Sequence, residues 1–580
     1  MTTPNASRPS RAALLAFAGV LWGLSCLACV GGLGRYSDDW AFGAIDPATG
    51  AFDASRSPFH QAYFWRPLLQ LFLHYAISLL WNHLWVLHVL NAVTHAGTTL
   101  LVHRLLRGVG ASPRAAAAAA LLFMVWPNHH EVIFWPTAMT TGFATLLGAL
   151  LGLVAVAWTR RGMPLDRSLL WFPALAFLIP CWYEQPSALV PVLPLVCLAA
   201  RTEGSARRCL ARSLVPTMLA GVATIAYVLL LRGTAPSSAR GAASSYIHLS
   251  DIPSRAAEFS SAAVWFHTAA LSDAVIGGLS FSRSQMDGFP GLVAIGLALI
   301  AAVAWVLLSW TRANETAEHG ARRMGSRTLL AVSLLMASML PMFVIKGQIF
   351  EARHHYFMML PGAMLAAVVL DALSWRAGRA RLIAVGLGAA AGVTLLAGSL
   401  LGFQFLMRER TRADLAQMQS IAAGAPAAPP GVIFMALEDN YRPARTGRLF
   451  FDARLIGWIT ASWSANPGVQ FAFRRDDVFA TVRNFWVGMP ISDVDGEGYR
   501  YNVGPNQSGP PDPIANARHR WDQTIPYIIG EDGTIRFVSS MVVKRSGAAD
   551  LTLSFPSLAT AASGSDAPRP PIAGYTLQLP

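Results

Sequence analysis

About eleven apolar stretches divide the first 406 residues, and this recurrence limits the possible folds more than any other feature. They fall at 12–33, 86–106, 113–127, 138–158, 168–182, 187–200, 214–232, 290–310, 328–346, 357–373 and 381–406. A helix of roughly 20 apolar residues spans the hydrocarbon core of a bilayer, and most of these stretches are near that length or somewhat short of it. Charged residues make up 13% of the chain and hydrophobic ones 54%. A soluble domain carries about 25% charged residues, so composition and patterning agree on a polytopic α-helical membrane protein.

The connectors fix an orientation. RLLRGVGASPR, TRRGMPLDR, ARTEGSARRCLARS, WTRANETAEHGARRMGSR and WRAGRAR hold the arginine excess. All of them fall on one side if the spans alternate, as the positive-inside rule requires. The N-terminus is then cytoplasmic, and 12–33 is a retained helix too long for the core of a signal peptide. A net charge of +13 could also suit nucleic acid, but the arginines form no stripe with interleaved aromatics, which argues against that partner. RPLLQLFLHYAISLLW, at 66–81, is apolar enough to be a further span. Counting it would break the alternation, so it is expected as a helix on, or dipping into, the outer face.

Beyond residue 407 the character changes. A transmembrane unit is expected over 1–406, then a polar helix and Ala/Pro linker over 407–430. A small C-terminal β-rich or α+β extracytoplasmic domain follows over 431–580. Its expected strands include GVIFMAL, GVQFAF, TIPYIIG, TIRFVSS and LTLSF, with a turn signal at Glu531-Asp532-Gly533. The cysteines (Cys26, Cys29, Cys181, Cys197 and Cys209) lie in or beside apolar spans and form no zinc-ligand pattern, so they read as apolar filler.

The unusual polar residues collect in outer-face segments. The first holds Asp38, Asp39, Asp46, Asp53, His60 and Arg66. WPNHHEVIFWPT holds His129, His130 and Glu131, and WYEQPS holds Glu184. KGQIFEARHHYF holds Lys346, Glu351, Arg353, His354, His355 and Tyr356. Each cluster has a plainer reading: a solvated turn for the paired aspartates, snorkelling anchors for Lys346 and Arg353. His88, Asn91 and His95 share one face of the 86–106 helix, where a helix-to-helix hydrogen-bonding stripe is at least as good a reading as a ligand. Asp371 sits near a cytoplasmic helix end and reads as structural. Convergence on one face favours function, because ionisable groups near lipid are costly and chance would scatter them.

Acids at one end of the chain and cations in distant loops suit transfer of a sugar from a polyprenyl-phosphate donor. Asp38 or Asp39 takes the proton of an acceptor hydroxyl, and repulsion within the pair raises one pKa toward a useful range. Arg66, His129, Glu131, Lys346, Arg353, His355 and Tyr356 are the expected donor-phosphate or substrate-binding residues. No full metal-ligand set is legible, although an acidic pair beside a phosphate leaves a divalent ion open. A transporter or lipid flippase is the main rival; it would place ionisable groups near the bilayer midplane, often between repeats, and no repeat is present. A non-enzymatic envelope scaffold with the tail as its binding module is the second.

The order of features resembles the GT-C superfamily of integral-membrane glycosyltransferases. Within it, the likeness is greatest to the protein O-mannosyltransferase branch, namely the transmembrane-and-tetratricopeptide O-mannosyltransferases and their bacterial relatives. The carrying stretches are SDDW at 37–40, FWRPL at 64–68, LHVLNAVTH at 87–95 and AAAAAALLFMVWPNHHEVIFW at 115–135, with a looser match at RHHYFMMLPG, 353–362. No tetratricopeptide repeats are present. The resemblance implies a catalytic base among Asp38 and Asp39, a cavity shared with His129 and Glu131, and a lipid-linked donor such as a mannose carrier. The acceptor would be a protein, lipid or polysaccharide. Separately from the resemblance, the Ala- and Arg-rich composition suggests a bacterial inner membrane, and an odd span count puts the C-terminal domain in the periplasm. Trp126 stands where relatives carry histidine, and Met139 and Thr141 replace an expected arginine and aspartate. Neither sugar nor acceptor is therefore carried over.

Overall fold

The structure is a computed structural model. It describes residues 33, 44–46, 48–50, 52–53, 66–80, 83–202, 204–234, 249–285, 324–344, 352–374, 378–442, 444, 446, 448, 462–482, 491–501, 514, 517–543 and 549–555. The expected spans at 290–310 and, but for Leu33, at 12–33 lie outside these residues, as do Asp38, Asp39 and Lys346.

A helical bundle forms the first part. Its elements are α1 (Pro67–Leu71, continuing through a π turn, Phe72–Ile77, to Ser78–Leu80), α2 (Leu84–Gly108), α3 (Pro113–Met124), α4 (His130–Phe134) and α5 (Met139–Arg160). Then come α6 (Trp171–Trp182), α7 (Leu189–Ala200), α8 (Ala206–Thr234), α9 (Ile252–His267) and α10 (Ala269–Ser284). The bundle closes with α11 (Met324–Val344), α12 (Ala352–His355), α13 (Met359–Ser374) and α14 (Arg379–Gly424). Among the described residues six helices are long and apolar enough to cross a membrane, and four shorter apolar helices accompany them.

Local chemistry explains individual helices. At α3, Ser112 accepts from the Ala115 N–H at 3.2 Å, and Pro113 takes the first helical position, where its missing N–H costs nothing. The alanine run that follows has no bulk to hold neighbours away, and Ala116, Ala117, Ala119 and Ala120 are fully buried. Pro180 and Pro194 lie inside α6 and α7, and the Pro180 carbonyl accepts from the Tyr227 hydroxyl at 2.9 Å.

The arginine connectors do meet at one end. Arg160 donates to the Gly108 carbonyl (2.8 Å) and Arg212 to the Gly162 carbonyl (3.2 Å). Arg327 pairs with Asp371, which also accepts from the Ser112 N–H at 3.3 Å. That network ties the start of α11, the end of α13 and the start of α3.

The α9–α10 pair was not expected as apolar helix. Arg255, Glu258, Asp273 and Arg283 interrupt its hydrophobicity. Packing on α14 stabilises α10 instead: Ser399 donates to the Ala274 carbonyl and Ser282 to the Gly398 carbonyl, each at 2.8 Å. Glycines let the two backbones touch; a Cβ on Gly402 would lie 2.1 Å from the Gly278 oxygen. Gly402→Leu should therefore lower stability by about 1–3 kcal/mol or more. Gly388→Leu, where a Cβ meets nothing within 4 Å, should be near neutral. Thermal unfolding in detergent compares the two.

Helix α14 is continuous for 46 residues, running from the arginine end through residue 406 into the C-terminal domain. Leu415, Met418, Ile421 and Ala422, on its distal turns, pack under a four-stranded sheet. The strands are β3 (Ile433–Asp439), β4 (Phe479–Val482), β8 (Thr524–Ile529) and β9 (Ile535–Phe537), in the order β4-β3-β8-β9. Strand β3 is parallel to both β4 and β8, and β9 is antiparallel. Helix α15 (Ser462–Phe473) makes the crossover between β3 and β4. GVQFAF, expected as a strand, lies in this helix; joining two parallel neighbours requires a crossover, and that demand overrides the β propensity of Val469, Phe471 and Phe473. The domain also holds a three-stranded antiparallel sheet of β5 (Ile491–Ser492), β6 (Gly498–Tyr501) and β7 (Arg518–Arg520). A hairpin of β10 (Ser540–Val543) and β11 (Leu551–Ser554) completes it.

Arg410 joins the helix to the domain. Buried, it bonds Asp414 at 2.8 Å and Asp439 at 3.2 Å and lies over the Tyr441 ring.

Candidate functional site

Opposite the arginine end, loops between helices bring together most of the described polar residues singled out in the sequence. Arg66 precedes α1, whose first position is Pro67. Its guanidinium grips Glu184 through two nitrogens, Nε at 3.0 Å and Nη2 at 2.8 Å, and lies over the Tyr183 ring at 4.5 Å. Glu184 closes the turn after α6, so this bidentate pair fastens α1 to the bundle.

The next residue, Gln185, donates to the His354 carbonyl at 2.7 Å and the Ser338 carbonyl at 3.3 Å. Arg353, beside His354, donates its backbone N–H to Glu131 Oε2 at 3.0 Å. Its guanidinium stacks over the Trp135 ring at 4.9 Å, a cation held at the surface of the loop by the ring's negative face. The segments around Arg66, Glu184, Arg353 and Glu131 are thus one connected structure.

His129 is buried beneath it. Its ring touches Tyr356 (4.4 Å between centroids), Phe123 (4.8 Å) and His95 (5.7 Å). Burial, with His95 adding to it, holds the His129 imidazole well below its ordinary pKa. Burial thus favours the neutral ring, whose surroundings are aromatic. Burial likewise raises the Tyr356 hydroxyl, which stays protonated. His355 faces elsewhere, stacked on Phe266 at 4.0 Å and edge-on to His267. His130 stacks on Phe403 of α14 at 4.1 Å.

Leu33 borders this region on its apolar side. Leu33 packs on the apolar cluster that contains Ile133, Trp135, Phe266 and Phe403, and Ala444 of the C-terminal domain belongs to the same cluster. After the acids, β1 (Ala44–Ile45) pairs with β2 (Phe52–Asp53) and lies against α15. Arg448 pairs with Asp273 at 3.8 Å, a second link between this domain and the bundle.

Sequence reasoning missed the pairing of Arg66 with Glu184, 118 residues apart, for which no local signal exists. It also missed Gln185 and Tyr183. Among the described residues no cluster of three or more His, Cys, Asp or Glu side chains could hold a metal.

No protein-family description matches the chain. No curated protein matches it either. Among solved structures it is similar to the Archaeoglobus fulgidus oligosaccharyltransferase tethered with an acceptor peptide containing the NVT sequon, at 12% identity and a TM-score of 0.38. The match covers 83% of this chain and 65% of that one, so the chain spans just under two thirds of that enzyme. The likeness assigns no residue a role.

Proposed function

We propose that this chain is a membrane glycosyltransferase of GT-C type, moving a sugar from a polyprenyl phosphate to an acceptor hydroxyl at the outer face. One observation carries the reading: Arg66–Glu184, Arg353–Glu131 and the His129–Tyr356 box form a single cluster at the end of the bundle opposite the arginine connectors. A transporter typically places its ionisable groups near the bilayer midplane, whereas a transferase facing a lipid headgroup needs them at the end of the bundle.

The chemistry divides among these parts. Asp38 or Asp39 removes the acceptor's proton as its oxygen attacks the anomeric carbon, inverting it. The bond from that carbon to the phosphate oxygen breaks, and its electron pair leaves with the polyprenyl phosphate. Arg353, with Lys346, stabilises the charge gathering on the leaving phosphate, an electrostatic contribution made at the point where charge develops. The Arg66–Glu184 pair and Glu131 hold the loops that present these groups. Proteoliposomes given radiolabelled polyprenyl-phosphate mannose and cell-envelope extract test this. Label should move to a non-donor product; label that crosses the membrane unchanged would instead make the protein a transporter.

A further inference from the structure

Asn91 and His95 sit one helical turn apart on α2, both fully buried in a largely apolar helix. Burying an amide or an imidazole is unfavourable, and here Asn91 Nδ2 and both His95 nitrogens find partners, while Asn91 Oδ1 has none among the described residues. Asn91 Nδ2 donates to the Ile133 carbonyl at 2.8 Å and the Trp135 carbonyl at 3.4 Å. His95 Nε2 lies 2.8 Å from the Met124 carbonyl and Nδ1 lies 2.7 Å from the Tyr356 hydroxyl. A carbonyl only accepts, so Nε2 carries the proton and Nδ1 accepts from Tyr356.

These partners are placed in a telling way. Met124 ends α3, and Ile133 and Trp135 lie at the end of α4, where backbone carbonyls lack intrahelical donors. The stripe therefore pins both ends of the 125–135 loop, with His129 and Glu131 between the anchors. Tyr356 follows α12, and its N–H reaches the Arg353 carbonyl at 3.4 Å. One face of one helix thus sets the position of the loops on either side of the Glu131–Arg353 contact.

We propose that Asn91 and His95 are positioning residues, which hold the Glu131 loop and the Arg353 loop in the register that binds the lipid-phosphate donor. This rests on the glycosyltransferase reading for its kinetic consequence, but not for its geometric one. Neither side chain touches substrate.

The test pairs hydrogen–deuterium exchange with transfer kinetics on the full-length protein. His95→Phe keeps the ring volume and removes both polar contacts. His95→Gln keeps a donor for Met124, and Tyr356→Phe removes only the hydroxyl. Exchange in peptides covering 125–135 should rise in His95→Phe and Asn91→Leu and stay near wild type in His95→Gln. KM for polyprenyl-phosphate mannose should rise about tenfold in His95→Phe, with kcat changed less, in line with two lost buried hydrogen bonds. Tyr356→Phe should add nothing to KM in the His95→Phe background. Unchanged exchange in 125–135, or a rise spread evenly over the bundle, would overturn the proposal. If the wild type transfers no sugar, the glycosyltransferase reading fails, and the exchange data still decide whether the stripe pins the loops.

Discussion

Replacing both Asp38 and Asp39 by asparagine should lower sugar transfer by about 10²–10⁴-fold, the usual contribution of a general base. Asparagine keeps the shape and hydrogen-bonding capacity of aspartate but cannot accept the acceptor's proton. One single variant should show nearly the whole loss and the other a smaller one, because only one carboxylate takes the proton. Donor binding, read as protection from exchange by polyprenyl phosphate, should persist in both. Full activity in each single variant would place the base elsewhere in the chain.

A second large effect lies at the opposite end of the molecule. Arg327 and Asp371 are almost completely buried and paired, with side-chain exposures of 2% and 6%. Removing Arg327 leaves the Asp371 carboxylate buried without its cation, which costs about 3–5 kcal/mol, and removing Asp371 breaks the same pair. Asp371→Leu should therefore markedly lower the unfolding midpoint in detergent, as should Arg327→Met. The aspartate variant also removes the acceptor of the Ser112 N–H at the start of α3. The double variant should recover much of the loss, because two apolar side chains leave no charge behind. Additive single effects would contradict this account of the pair.

Comparison of sequence and structure shows which forces are local. Apolar runs such as 138–158 and 214–232 marked α5 and α8 directly, because a helix shielded along its length must be apolar along its length. The arginines in the connectors marked one end of the bundle, where Arg160, Arg212 and Arg327 now bond neighbouring segments. Elements stabilised by distant partners were not legible. Helix α10 depends on the close approach of Gly278 and Gly402, and GVQFAF is helical because β3 and β4 are parallel.

The site divides in the same way. Residue types and their shared face identified Arg66, Glu131 and Arg353 as candidates, and the structure links them through Glu184, Gln185 and His354. It could not be read from sequence that Glu131 would accept from the Arg353 backbone N–H. Nor could it be read that His129 would be enclosed by rings, since both depend on how separate loops close.

The central claim is that the paired aspartates and the Arg353 loop share one pocket on the outer face. Cysteines introduced by Asp39→Cys and Arg353→Cys, in a background lacking the native five, test it with a short membrane-impermeant bis-maleimide on intact cells. The account predicts an intramolecular cross-link there, suppressed by polyprenyl phosphate. Efficient labelling of each cysteine alone without any cross-link, or a cross-link only after the membrane is opened, would contradict it.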